Sequence, residues 1–149
     1  MNFKQKVYQE CLQVINSKID GLQKALNDLK ESISNETKST AGDKHETARA
    51  HLQIEQEYIS RQLKEVLDQK AVLDQTDFSI ESAIIIKGSL VKTNKGYLFI
   101  SIAAGKLYVN GITVFALSPL SPLGTRLMGQ KAGDTVKMND IQYVIETIC

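Results

Sequence analysis

The feature that most restricts the fold is a single apolar seam in the N-terminal half. Tyr8, Leu12, Ile15, Ile19, Leu22, Leu26, Leu29 and Ile33 follow one another at steps of four and three residues. At 3.6 residues per turn these side chains share one stripe, so the spacing predicts roughly 30 residues of continuous helix, about 45 Å long. The segment has no Pro, and Gly21 is its only Gly, at a cost of about 1 kcal/mol. The pattern stops in SNETKST, a polar stretch of turn character. It resumes after Gly42 with Ala48, Leu52, Ile59, Leu63, Val66 and Leu73, interrupted by Gln56 and Lys70. Neither helix hides its seam alone. A linker of about nine residues favours an antiparallel coiled-coil hairpin over residues 1–75, with its tip near 34–46. A parallel dimer would satisfy the same pattern.

From Phe78 the period changes. β-Branched and aromatic runs, SAIIIKGSLVKT, YLFISIA, LYVNGITVFAL and TVKMNDIQYVIETI, are separated by turn residues. Asn94-Lys95-Gly96 and Asn110-Gly111 read as tight turns between strands. SPLGTRLMGQ interrupts the run as a short helix, with Ser121 as N-cap, Pro122 as first residue and Gly129 as stop. About five strands and one short helix over residues 78–149 make a compact module, and the chain falls in the α+β class. The boundary is expected in DQTD, residues 74–77.

Composition excludes several functions. The 149 residues carry 18 Lys and Arg against 17 Asp and Glu, a net charge of +1 that argues against a dedicated nucleic-acid binder. Charges recur every few positions in the first twenty residues, so no signal-peptide core is expected there. Apolar runs such as Ala83–Ile86 reach only four residues, far short of a membrane span. Cys11 and Cys149 lack metal-type spacing and form no disulfide framework, which fits a cytoplasmic protein with free thiols and no membrane partner. His45 and His51 are six apart and do not share a helical face, and no His follows to serve as a base in the C-terminal half. There is no phosphate-binding glycine loop, and a self-contained enzyme is not expected.

Between the two helical patterns stands AGDKHETARA. Asp43 and Glu46 form a D-x-x-E variant of the capping box, which alone accounts for both residue types at about 1 kcal/mol. The same residues also suit a second use, as carboxylates held at the tip of an arm.

Element order, Gly42-Asp43-x-x-Glu46-x-Ala48 at the tip, and Ser121-Pro122-Leu123-Gly124, Leu127, Gly129 and Gly133-Asp134 in the C-terminal module together resemble the bacterial Gre-type transcript-cleavage factors. The resemblance spans nearly the whole chain. It implies an FKBP-like C-terminal module that docks on RNA polymerase at the secondary channel, with Ser121, Pro122, Leu123, Gly124 and Leu127 as docking residues. It also implies a monomeric arm that reaches the polymerase active centre and nascent RNA. Asp43 and Glu46 would there help hold a weakly bound Mg²⁺ shared with polymerase, since Mg²⁺ takes hard oxygen ligands. The chain would then be an accessory factor for polymerase's own nuclease activity, with no cofactor of its own.

The tip departs from the family pattern. Thr47-Ala48-Arg49-Ala50 stands where Asn-Ala-Glu-Tyr is usual, and Lys44 replaces a Leu. Lys44 and Arg49 are candidate contacts to RNA or polymerase, and their charge lowers the negative potential that draws Mg²⁺. A channel-occupying regulator without cleavage is therefore a second expectation. An FKBP-like folding helper and a plain coiled-coil interaction protein are further alternatives.

Overall fold

The computed structural model describes the backbone of residues 1–38 and 43–149 and the side chains of residues 1–35 and 47–149. Two long helices come first, α1 (Phe3–Lys38) and α2 (Asp43–Gln75). Asn2 and Gln5 open α1 as a reciprocal cap: the Gln5 amide donates to Asn2 Oδ1 at 2.8 Å and the Asn2 amide to Gln5 Oε1 at 2.9 Å. The expected turn in SNETKST is helical as far as Lys38, which leaves residues 39–42 between the helices rather than nine. Polar residues alone do not stop a helix.

Lys18, Gly21 and Leu22 share a cleft with Gln62, Glu65 and Val66, so early α1 lies beside late α2 and the pair runs antiparallel. Ile15, Leu26, Leu29 and Leu63 are buried, and Ile19, Leu22, Ile33, Ile59 and Val66 are half-buried. The seam is as expected except near its start, where Val7 and Cys11 are fully buried while Tyr8 and Leu12 are only partly so. Among the described residues no helix is long and apolar enough to cross a membrane.

The chain forms two compact units, one of residues 1–14 and 70–149 and the other of residues 15–69. The first contains a six-stranded sheet: β1 (Leu90–Thr93), β2 (Gly96–Ile100), β3 (Gly105–Val109), β4 (Ile112–Leu117), β5 (Thr135–Met138) and β6 (Ile141–Ile148), with α3 (Pro122–Leu127) between β4 and β5. The order is β3-β4-β2-β1-β6-β5, antiparallel except for the β2–β4 pair. Six strands replace the expected five because the last run is two strands, while the first run is shorter than expected. Asn139 and Asp140 both take positive φ (51° and 66°) and fold TVKMNDIQYVIETI into a hairpin. The SAIII run is not a strand beyond one bridge from Ile84 to Lys131, because Gly88 at φ 97° redirects the chain before β1. The turns at Asn94-Lys95 and Asn110-Gly111 are as expected.

Both faces of the sheet are packed, except over part of β3 and β4, where Lys106, Tyr108, Thr113 and Phe115 are exposed. On one, Val91, Leu98, Ile100, Leu117 and Ile145 pack with Ile85, Val136 and Leu127 of α3. On the other, Phe99 meets Phe78 at 5.2 Å between ring centroids, Phe78 meets Tyr8 at 4.6 Å, and Phe3 meets Tyr97 at 5.1 Å. Offset and tilted ring pairs at these spacings add about 0.5–1.5 kcal/mol each beyond area burial. Lys4 is buried beside them, its Nζ donating to the Ile80 carbonyl at 3.1 Å.

Burial pushes the Lys4 ammonium below the ordinary lysine value of 10.5, partly countered by Cys149, Glu81 and Asp77. The folded state therefore sheds this proton before the unfolded state does, and the penalty for burying Lys4 fades as pH rises toward 10.5. In urea titrations at a series of alkaline pH values, wild type should gain stability relative to Lys4→Met across that window. A difference independent of pH would contradict it.

Candidate functional site

Two places carry the expected functional residues. At the first, α2 begins at Asp43, so the backbone sets Asp43 and Glu46 in its first turn. The side chains of Asp43, Lys44 and Glu46 lie outside the described residues, as does any cap they form. Arg49 is exposed, one turn beyond Glu46 on the same helix. Among the described residues no three His, Cys, Asp or Glu side chains gather to hold a metal ion.

The second place is α3. Ser121 is its N-cap, as expected, with extended backbone (φ −65°, ψ 161°), and its Oγ accepts the Gly124 amide at 3.0 Å. The same hydroxyl donates to the Ser118 carbonyl at 2.7 Å, so one side chain closes the loop before the helix and the first turn after it. Pro122 fills N1, where no amide hydrogen is needed. Gly124 is buried for a steric reason: a Cβ there would lie 2.1 Å from the Ser118 carbonyl oxygen and 2.9 Å from Pro119 Cα. Only the missing side chain allows the 118–119 backbone to cross so close to α3. Leu127 is fully buried in the core and clamps the helix to the sheet. Met128 ends the helix and Gly129, at φ 83°, turns the chain away, its amide donating to the Ile85 carbonyl at 2.9 Å.

The five expected docking residues thus divide by position. Gly124 and Leu127 are buried and hold the element in place. Ser121, Pro122 and Leu123 line an apolar groove of about 400 Å³ together with Ala103, Gly105, Phe115, Ala116, Leu117, Ser118 and Met138. Beside it Leu120 is 86% exposed, an apolar knob with no cover in the chain. Sequence reasoning missed Leu120, Phe115 and Met138. Their signal was available only in part: Phe115 alternates with buried Val114 and Ala116 on β4, which marks it as outward-facing. The approach of Met138 depends on the β5–β6 hairpin, which was not foreseen.

No protein-family model matches the chain, and no curated protein matches it. Among solved structures, one described as the structure of the transcription factor Gfh1 aligns with 95% of this chain and 92% of its own, at 17% identity. The TM-score is 0.30.

Gly124→Ala should destabilise the fold by about 2 kcal/mol or more, because the clash is with backbone and not with a movable side chain. Ser121→Ala should cost about 1 kcal/mol through the lost cap. Chemical denaturation monitored by circular dichroism checks both. A Gly124→Ala protein as stable as wild type would refute the close-approach account.

Proposed function

We propose that this chain is a transcription factor that binds RNA polymerase through the groove beside α3 and presents Asp43 and Glu46 from the turn of its helical hairpin. The observation that carries this reading is the pairing of two features in one chain. One is an antiparallel hairpin whose second helix opens on Asp43. The other is an apolar groove that gathers Ser121, Pro122 and Leu123, the residues the family resemblance marks for docking. The first and last turns of α2 are roughly 50 Å apart along its axis, a length suited to reaching into a channel.

The chemistry follows from the residue types. Two carboxylates one helical turn apart offer hard oxygen donors of the kind Mg²⁺ takes, and the ion they would serve belongs to polymerase. With the metal bound, that centre supplies Lewis-acid activation of water for cleavage of a backtracked transcript. This chain contributes the placement of the two acids and the docking that brings them there. Arg49, exposed a turn beyond Glu46, favours a second form of the same reading, in which the arm occupies the channel without stimulating cleavage.

Addition of the full chain to a backtracked elongation complex is expected to increase transcript cleavage. The Asp43→Ala, Glu46→Ala double variant is expected to retain binding and lose the increase. Binding with altered pausing but no added cleavage selects the regulator form. Pro122→Glu keeps a residue tolerated at N1 and places a charge at the groove, so it should abolish co-purification with polymerase while leaving the fold intact. Failure of the wild-type chain to co-purify with RNA polymerase overturns both forms.

A further inference from the structure

The near-neutral charge of the whole chain conceals a lopsided distribution. Residues 82–133 carry Lys87, Lys92, Lys95, Lys106, Arg126 and Lys131 and not one Asp or Glu. The other twelve Lys and Arg therefore share the rest of the chain with all 17 acids. Charge asymmetry of this kind points to an anionic partner. The six cationic residues are exposed.

The β3–β4 hairpin lies within this basic block, and its two faces differ. Leu107, Val109, Val114 and Ala116 are buried on one. On the other, Lys106 is registered with Phe115 and Tyr108 with Thr113, and all four are exposed. Tyr108 is 66% exposed and Phe115 43%. The two rings are diagonal neighbours across an antiparallel pair, close enough for consecutive planar groups to rest on both. Lys106 stands beside Tyr108 on the same strand face and opposite Phe115. Phe115 also borders the groove, with Met138 on the groove wall and Lys137 next to it in the chain. Arg126 is fixed nearby by a hydrogen bond from its guanidinium to the Lys137 carbonyl at 2.6 Å. Lys6 and Glu10 of α1 share a cleft with Tyr108, and the acids closest in sequence are Asp134, whose carboxylate accepts the Lys131 amide, and Asp140 in the β5–β6 turn.

We infer that the solvated face of the β3–β4 hairpin binds single-stranded nucleic acid, with bases stacked on Tyr108 and Phe115 and phosphates met by Lys106 and Arg126. Exposed rings are costly on a free surface and serve any base, because every base has a π-face. Cations interleaved with such rings supply the backbone contacts. A duplex hides its base faces, so the single strand is the matching ligand. Phe115 belongs both to this face and to the groove, and the inference concerns the chain alone, so it stands whether or not the chain binds polymerase.

The full chain is titrated into fluorescein-labelled oligouridylate and oligothymidylate of about 12 nucleotides, within the usual range for a small binding surface. Anisotropy should report binding to both that weakens steeply with salt. Tyr108→Ala should weaken it roughly tenfold, and Tyr108→Phe should restore it, because stacking requires the ring and not the hydroxyl. Lys106→Gln should lower the slope of log affinity against log salt by about 0.7, the value for one phosphate contact on a single strand. Tyr108 is too exposed for its loss to unfold the module. Absence of oligonucleotide binding, or equal binding by Tyr108→Ala and wild type, overturns the proposal. So does equally effective displacement by a polyglutamate peptide, which would assign the surface to acidic proteins.

Discussion

The architecture depends on the contact between the first turns of α1 and the sheet. A sheet with one helix on one face leaves its other face wet, and Leu90, Phe99, Leu107 and Val114 would then lie open to solvent. The Tyr8–Phe78–Phe99 stack and the Phe3–Tyr97 pair prevent this by placing α1's own aromatic residues against that face. The same contact explains the shift in α1's buried stripe. Beyond Val14 the helix needs only to satisfy α2, and the heptad seam suffices. Before it, two neighbours compete for the helix surface, and Val7 and Cys11 move inside while Tyr8 turns toward Phe78. The helix start is thereby part of the first compact unit and not an appendage to it.

A comparable economy governs α3. Six residues are too few to form a stable helix on propensity alone. Its existence rests on the Ser121 cap at one end, the buried Leu127 near the other, and a glycine that lets the preceding loop cross against its first turn. A motif that reads in the sequence as one recognition element is therefore two things in space. Its buried members fix the position of the helix, and its exposed members form a groove wall. Substituting Gly124 would move the groove wall although Gly124 itself is buried.

The sequence disclosed whatever was encoded by period or by local turn chemistry. Both long helices, the change of period at Phe78, the α3 cap and stop, and the turns at Asn94 and Asn110 were legible, because each depends on residues within a few positions of one another. The extra strand was missed where two non-glycine residues, Asn139 and Asp140, adopt positive φ, a weaker signal than Asn-Gly. The helical run through Ser34–Lys38 was missed because polar composition was read as a stop. The groove was beyond reach. It joins Ala103, Phe115, Leu123 and Met138, which come from four separate stretches of chain, and no local pattern encodes their meeting.

Net charge was the least informative reading, for a physical reason. At physiological ionic strength the Debye length is about 8 Å, so exposed charges separated by much more than that act nearly independently. The field felt by a ligand is the sum over its own neighbourhood, and on the exposed face of the β3–β4 hairpin Lys106 stands beside Tyr108 and opposite Phe115, with Lys6 and Glu10 of α1 bordering Tyr108. The balance of 18 against 17 is then a property of the tally and not of any surface that a partner meets.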